Sequence, residues 1–415
     1  MPSPRPPRRP AVPHVRPATR LSRRQLFLRS GALGAAGLSL PALLAACGDD
    51  DDDSSGDASS TAATGTAPGT PAPGGGSGSL FFENWPAYID PTEDGHVGTV
   101  DRFISATGIA MRYTEAFNDN NAYFATIQPV LGRGDTIEPD IIAPSSWMAG
   151  RLINLGWVDP LPLDQIPNAV NLRPDLQKPA WDPTGEFSLP WQTGFAGLAY
   201  NLDVTGRELT SVEDLFDPAF AGKIGMNTEM RDTIGLILLG LGVDISAIST
   251  FEEAAPAFAK LEAAKNDGQI RAFHGNDYFD DLSSGNFAAC VGWSGDVAQI
   301  QLDNPAVRFT FPEEGATSWA DTMVIPKGAV NRDAAAAWMN FVYDPVEAAQ
   351  ITASVQFVSP VAGVREEVAK IDPELADNPL IFPDEETLSQ VHGFATLTEE
   401  VEAQFDAEFS RIVGA

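Results

Sequence analysis

A short segment near residue 140 constrains the fold of this chain more than any other. Residues 140–143 read Asp-Ile-Ile-Ala, which is typical of a buried strand, and the Pro-Ser-Ser that follows leads into a helical pattern ending at Gly156. A strand, a capping turn and a helix in this order form the repeating unit of an open parallel sheet. Ligands bind at the carboxyl ends of such strands, so Ser145 and Trp147 are well placed to line a binding site.

The same alternation of strand and helix continues through residues 80–415. Because 336 residues exceed one ordinary hydrophobic core, we expect two domains. We predict an α/β, two-lobed fold in which each lobe has a mixed, mainly parallel sheet flanked by helices. The predicted strands are 80–82, 109–113, 195–200, 288–293 and 317–326, and the predicted helices are 100–106, 229–241, 255–265 and 333–343.

The first 47 residues are predicted to be a lipoprotein signal peptide. They contain eight Arg and no acid, and an apolar run occupies residues 31–46. Arg23 and Arg24, followed by apolar residues, match a twin-arginine signal, and Leu-Ala-Ala-Cys at 44–47 resembles the bacterial lipobox, in which Cys47 is acylated. The alternative is an uncleaved membrane anchor, but the apolar run is short for a bilayer. We expect a lipid-anchored protein outside the cytoplasmic membrane, either periplasmic or on the cell surface.

Residues 48–79 contain only Gly, Asp, Ser, Ala, Thr and Pro. None of these side chains is large and apolar, so we predict a disordered tether between the lipid and the folded body. Loss of the signal peptide changes the net charge from −31 to −39, because the signal carries eight Arg. Such a surface repels nucleic acid and attracts cations, and we expect no nucleic-acid partner.

The sequence offers little support for catalysis or metal binding. Motifs of zinc proteases, P-loops and nucleophile elbows do not occur in it. Residues 90–101 nearly match a calcium-binding loop, but Thr92 stands at its third position and Asp101 replaces the bidentate Glu. With Cys47 acylated, Cys290 has no disulfide partner, and its small apolar neighbours predict a buried thiol. We therefore predict no enzyme activity, no cofactor and no metal.

Two pairs of side chains have chemistry that suits a ligand. Trp319 and Asp321 stand two residues apart in a predicted strand and so point to the same side, where they suit an organic cation or an ordinary core. Glu229 and Asp232 stand three residues apart at a predicted helix start. They fit the acid/base pair of a secreted glycoside hydrolase. They fit equally well two acids without a function, which the helix dipole stabilises in the first turn of a helix.

A series of short segments runs in order through residues 80–365. It begins with Asn-Trp-Pro-Ala-Tyr-Ile at 84–89 and includes Pro-Ser-Ser-Trp at 144–147, Glu-Met-Arg-Asp at 229–232, Trp-Ser-Gly at 293–295 and Trp-Ala-Asp at 319–321. The series resembles the spermidine/putrescine-binding proteins of bacterial ABC importers. Other matching segments occur in solute-binding proteins generally, whereas the first, third and last of these are more particular to polyamine binders.

This resemblance implies a ligand cleft between the lobes and three chain crossings, near Tyr200, near 319–321 and near residue 365. The lobes would comprise residues 80–200 with 320–365 and residues 201–319 with 366–415. It implies a polyamine ligand and an ABC permease as partners, and we expect a monomer. Carried over position by position, the implied ligand-binding residues are Trp85, Tyr88, Ser145, Trp147, Glu229, Asp232, Trp293, Trp319 and Asp321.

Three positions depart from the family pattern. Glu229 and Asp232 reverse the family's order of Asp then Glu, Phe357 replaces a cleft Tyr, and a Gln near the C-terminus has only Thr398 as a candidate counterpart. The ligand class is thus better defined than the ligand itself. The open alternatives are the same fold binding a sugar, an amino-acid derivative or iron, and the hydrolase. Iron calls for clustered Tyr or His ligands, and the predicted cleft has one Tyr and no His.

Overall fold

The computed structural model describes residues 78–93 and 95–414. The predicted signal peptide, Cys47 and all but the last two residues of the predicted tether lie outside these ranges. In the part of the chain that is described, no helix combines the length and apolar character needed to cross a bilayer.

The strands of the described residues join in one mixed sheet of eleven strands. Along the sheet the order is β2-β1-β3-β10-β5-β8-β6-β7, while β4 and β11 pair with β10 and β9 pairs with β5. The strands are β1 (Ser79–Asn84), β2 (Ala110–Glu115), β3 (Ile141–Ile142), β4 (Val158–Asp159), β5 (Ser188–Asn201), β6 (Ile224–Asn227), β7 (Ile270–His274), β8 (Ala289–Trp293), β9 (Val307–Thr310), β10 (Ala316–Pro326) and β11 (Val391–Gly393).

Helices flank the sheet, and short 3₁₀ turns connect several elements. The α-helices of the described residues are α1 (Thr99–Thr107), α2 (Asn120–Leu131), α3 (Ser146–Asn154), α4 (Leu202–Thr205), α5 (Met230–Gly240), α6 (Phe251–Asn266), α7 (Phe279–Ser284), α8 (Ser294–Asp303), α9 (Arg332–Val342), α10 (Pro345–Val355), α11 (Val364–Ile371), α12 (Glu385–Ser389) and α13 (Glu399–Val413). The 3₁₀ turns are Leu163–Gln165, Pro167–Asn171, Pro174–Leu176, Val212–Phe216, Pro218–Phe220 and Leu375–Asp377.

Two long antiparallel strands, β5 and β10, connect the two ends of the sheet. At one end β1 pairs in parallel with β2 and β3, and at the other end β6 pairs in parallel with β7 and β8. We call the end with β1–β4 the first lobe and the end with β6–β9 and β11 the second lobe. The predicted two-lobed α/β architecture is confirmed. The hydrogen bonds between β5 and β10 join the sheets of the two lobes into one continuous sheet.

The pairing of β5 with β10 contains a bulge where these strands pass between the lobes. Asp321 pairs with Gln192 and Thr322 pairs with Pro190, so Trp191 is an extra residue on β5. Pro190 has no N–H to donate, which disfavours a regular ladder at this point. A bulge bends its strand and increases the local twist. Asp321 therefore lies directly beside the irregular point of this pairing.

Most predicted elements are present, with changed ends. Gly108 and Gly156 have positive φ angles of 73° and 68°, which glycine adopts without strain, and they follow the ends of α1 and α3. The end at Gly156 is the predicted one. The predicted helix 333–343 is present as α9, and Pro345 begins the next helix, α10, where Asp344 accepts a hydrogen bond from the Val346 N–H. Cys290 is free and buried as predicted, and burial raises the pKa of its thiol.

The near-match to a calcium-binding loop has a different role. The buried carboxylate of Asp90 accepts hydrogen bonds from the Thr99 N–H at 3.1 Å and from the Arg102 guanidinium at 3.1 Å, and it lies 2.8 Å from His96 Nε2. Arg102 also pairs with Glu347 at 2.7 Å. The charge of Asp90 is thus balanced by a side chain of the protein, and this network fastens the loop to α1 and α10.

Candidate functional site

One cleft between the lobes, with a volume of about 930 Å³, is lined by all nine residues predicted to bind ligand. The carboxyl ends of β1, β3, β6 and β8 meet at this cleft, as expected of an open α/β sheet. Trp85 and Tyr88 follow β1, Ser145 and Trp147 follow β3, Glu229 and Asp232 follow β6, Trp293 ends β8, and Trp319 and Asp321 belong to β10.

Asp321 is held by two hydroxyl groups of the first lobe. Its Oδ1 accepts a hydrogen bond from Ser145 Oγ at 2.6 Å, and its Oδ2 accepts one from Tyr88 Oη at 2.9 Å. Burial raises the pKa of Asp321 to about 7, with a further rise from the charge of Asp232, while the two hydrogen bonds oppose the shift. Ser145 occupies the N-cap position of α3 but makes no capping hydrogen bond, because its hydroxyl serves Asp321 instead.

Asp232 is held by two donors of the second lobe. Its Oδ2 accepts a hydrogen bond from Trp293 Nε1 at 2.9 Å, and its Oδ1 accepts one from Thr317 Oγ1 at 2.9 Å. Burial raises the pKa of Asp232 to about 6, although both hydrogen bonds and the nearby Arg231 favour the ionised form. The indole of Trp293 is therefore fixed by the carboxylate as well as forming a wall of the cleft.

Glu229 makes its hydrogen bonds across the cleft. Its Oε1 accepts from the side-chain amide of Asn120 at 2.8 Å and from the Asn120 backbone N–H at 3.3 Å. The side chain keeps partial exposure toward the cavity, but the surrounding protein removes most of its hydration. This desolvation, followed by the charges of Asp119 and Asp232, raises the pKa of Glu229 to about 8 against the effect of Asn120.

Aromatic side chains form the walls around the three acids. Trp85 is fixed by a hydrogen bond from its Nε1 to the Ala143 carbonyl oxygen at 2.8 Å. Phe357 lies edge-on to both Tyr88 and Trp319, with ring centroids 5.2 Å and 5.4 Å apart. Phe357 thus lines the cleft as an aromatic surface without a hydroxyl group.

The outer part of the cleft contains a cation of the protein itself. The Arg231 guanidinium carbon lies 4.1 Å from the ring centroid of Trp147, and Arg231 pairs with Glu402 at 3.2 Å. Trp147 therefore lines the cleft as predicted, but one of its faces already contacts a cation. Thr398 caps α13 by accepting a hydrogen bond from the Val401 N–H, so its hydroxyl has a structural task at this position.

Sequence reasoning missed Asn120, Thr317 and Arg231 as parts of this site. The segment around Asn120 carries only the signal of a helix start, and Asp119 does cap α2. Thr317 belongs to the predicted strand of which only Trp319 and Asp321 were assigned to the site. Residues at i and i+2 of a strand share a face, and the spacing of Thr317, Trp319 and Asp321 was therefore a usable signal. Arg231 stood between the two predicted acids.

Comparison with known proteins agrees with this geometry. Residues 138–391 match the family model described as bacterial extracellular solute-binding protein. The chain belongs to this family. Among its relatives, the spermidine/putrescine-binding periplasmic protein of Escherichia coli (strain K12) is 24% identical over 311 residues, which cover 75% of this chain and 84% of that protein. The putrescine-binding periplasmic protein SpuD of Pseudomonas aeruginosa (strain UCBPP-PA14) is 27% identical over 354 residues, which cover 80% and 91%.

Solved structures place this solute-binding protein among two-lobed proteins of ABC transporters. The substrate-binding protein PotD of a spermidine/putrescine ABC transporter from Streptococcus pneumoniae matches with a TM-score of 0.66 and 26% identity, covering 81% of this chain and 98% of that one. A putative spermidine/putrescine ABC transporter protein from Listeria monocytogenes matches with a TM-score of 0.70 and 25% identity, covering 80% and 98%.

Proposed function

We propose that this chain binds linear polyamines in the cleft between its lobes and delivers them to an ABC permease. The observation that carries the proposal is a set of three carboxyl groups, those of Glu229, Asp232 and Asp321, that line one cleft. Among residues 78–93 and 95–414 no Lys or Arg forms an ion pair with them, and the nearby Arg231 pairs with Glu402 instead. Ligand ammonium groups would supply the missing positive charge.

The aromatic walls support the same ligand class. A polyamine consists of ammonium groups joined by methylene chains, so it needs carboxylates for its charges and apolar faces for its stems. Trp85, Trp293 and Trp319 supply such faces beside the three acids. Iron needs a cluster of ligands, and the described residues hold no group of three or more His, Cys, Asp or Glu side chains that could bind a metal ion. The names of the relatives favour polyamines independently.

We further propose that the lobes close on the ligand, which then contacts acids from both sides. The predicted boundaries, residues 80–200 with 320–365 and residues 201–319 with 366–415, stay a prediction. Contacts of α11 with α10, and the pairing of β11 with β10 in the second lobe, favour a third crossing after Ile371. Small-angle scattering should show compaction with saturating ligand, and an unchanged radius of gyration would count against closure.

We also propose that Cys47 is acylated after export through the twin-arginine pathway and that the protein acts as a monomer. The proposal rests on the sequence around Arg23, Arg24 and Cys47. Mass spectrometry of the mature N-terminus should find a lipid on Cys47, and Cys47→Ala should release the protein from the membrane fraction. Light scattering after size exclusion tests the oligomeric state.

A binding panel tests the proposed ligand. Thermal shift and titration calorimetry with putrescine, spermidine, spermine, sugars and amino acids should give saturable binding of one polyamine per chain. Selective binding of a sugar or an amino acid instead would overturn the proposal. Glycoside turnover that is lost in Glu229→Gln would favour the hydrolase alternative, whereas binding without turnover would remove it.

A further inference from the structure

One hydrogen bond across the cleft joins Asn120, which was not predicted to bind ligand, to Glu229, which was. Asn120 begins α2 in the first lobe, and Glu229 precedes α5 in the second lobe. Asn120 is only 1% exposed, and its amide nitrogen donates to Glu229 Oε1 at 2.8 Å. Because these residues belong to different lobes, the hydrogen bond exists only when the lobes are close together.

The orientation of the Asn120 amide follows from its partners. Its oxygen accepts a hydrogen bond from the Ser145 N–H at 3.0 Å, so the nitrogen must face Glu229 and Ser145 Oγ, the latter at 2.9 Å. A flipped amide would turn a donor toward the Ser145 N–H and an acceptor toward the Glu229 carboxylate. Both amide hydrogens therefore have acceptors.

These hydrogen bonds connect two of the three cleft acids. Asn120 donates to Glu229 and to Ser145 Oγ, and Ser145 Oγ donates in turn to Asp321 Oδ1 at 2.6 Å. The Asn120 backbone N–H also donates to Glu229 Oε1, so both bonds occupy the same oxygen. Glu229 lines the cleft, so its other oxygen, Oε2, remains available to a ligand. Glu229 and Asp321 are thus connected by hydrogen bonds through the side chains of Asn120 and Ser145 of the first lobe.

We propose that Asn120 is a positioning residue, which clasps Glu229 across the closed cleft, sets the oxygen that Glu229 presents to the ligand and slows ligand release. The inference rests on the proposed polyamine binding. It gives a reason for Glu rather than Asp at position 229, because the loss of one methylene shortens the reach by about 1.5 Å. A hydrogen bond of 2.8 Å would then exceed the limit of a real bond unless the lobes moved.

The test is a double-mutant cycle with Asn120→Ala and Glu229→Asp, read by calorimetry and by stopped-flow tryptophan fluorescence with putrescine and spermidine. Each single variant should raise the ligand dissociation rate about tenfold and leave the association rate within about twofold. The double variant should release ligand no faster than Glu229→Asp alone, because that variant already lacks the contact that Asn120→Ala removes. A purely structural role would not produce this lack of additivity.

Two further variants make the result decisive. Asn168→Ala removes a side-chain hydrogen bond to the Asn340 carbonyl oxygen within the first lobe, so it controls for a general loss of stability and should leave the dissociation rate unchanged. Asn120→Asp keeps an acceptor for the Ser145 N–H and replaces the alanine variant if that one does not fold. It should release ligand at least as fast.

The possible outcomes separate this inference from the proposed function. Polyamine binding that is unchanged in Asn120→Ala, or losses that multiply in the double variant, would overturn the clasp and leave polyamine binding standing. Failure of the unaltered protein to bind any polyamine would overturn both.

Discussion

Polyamine binding should weaken as the pH falls from 8 to 6. The pKa values of Glu229, Asp321 and Asp232 are raised to about 8, 7 and 6, chiefly because burial penalises their ionised forms. In this closed arrangement of the lobes the three carboxyl groups therefore hold protons near neutral pH. Alkylamines resemble Lys, whose pKa is about 10.4, so the ligand stays protonated. Because ammonium groups bind carboxylates, binding releases protons, and the association constant rises with pH.

The size of the effect follows from these pKa values. A carboxyl group with a pKa of 7 weakens binding by about tenfold between pH 8 and pH 6, because its ionised fraction falls by that factor. The three groups together set an upper limit of about a thousandfold. Glu229 keeps some exposure to water in the cleft, and water screens its charge. We therefore expect about a hundredfold, with about one proton released per ligand at pH 7.

Titration calorimetry in buffers of different ionisation enthalpy measures both quantities. The observed heat should depend on the buffer at pH 7, and the logarithm of the association constant should rise with pH between 6 and 8. Glu229→Gln should release fewer protons, whereas Glu138→Gln, whose side chain is 75% exposed on the surface, should behave as the unaltered protein. A constant affinity over this range, or a heat that is independent of the buffer, would refute the reasoning.

Three further predictions concern single side chains. Asp321→Asn keeps the shape but not the charge of the carboxylate, so polyamine binding measured by calorimetry should weaken by about 2–4 kcal/mol; unchanged affinity would remove Asp321 from the ligand site. Gly194→Ala places a Cβ in the Trp319 indole, 3.0 Å from Cε2, and should displace the ring and weaken binding about tenfold; an unmoved ring in a crystal structure would contradict this. Arg151→Gln removes an ion pair with Asp406, 3.7 Å long and partly exposed, so affinity should change by less than about 1 kcal/mol. A larger calorimetric loss would make this pair a main closure contact.

Local sequence patterns were enough to predict the fold class. The unit around Ser145 contains a buried β3, a turn and α3, and it lies at the cleft as the rule for open α/β sheets requires. The apolar run at 317–326 predicted β10 to within one residue. The pattern could not predict that β5 runs for fourteen residues, because every residue of β5 is buried and alternation is lost.

The cleft was predictable only where its residues carry chemistry of their own. Trp and acidic residues in an apolar segment indicate a binding site for a cation. Asn120, by contrast, has the sequence context of the first residue of a capped helix and indicates no ligand. Asn120 lies 109 residues from Glu229, and Thr317 lies 85 residues from Asp232. Contacts over such separations depend on the order of strands in the sheet, which local periodicity does not contain.

The bulge beside Asp321 gives a physical reason to expect that ligand binding and lobe closure are coupled. A regular ladder between β5 and β10 would resist bending, but the extra residue Trp191 and the missing N–H of Pro190 weaken it at the crossing. Asp321 is the residue before that break, and its carboxylate is held by Tyr88 and Ser145 of the first lobe. An ammonium bound there would pull on the strand at its most easily bent point. A ligand at Asp321 thus acts directly on the element that must bend for the lobes to close.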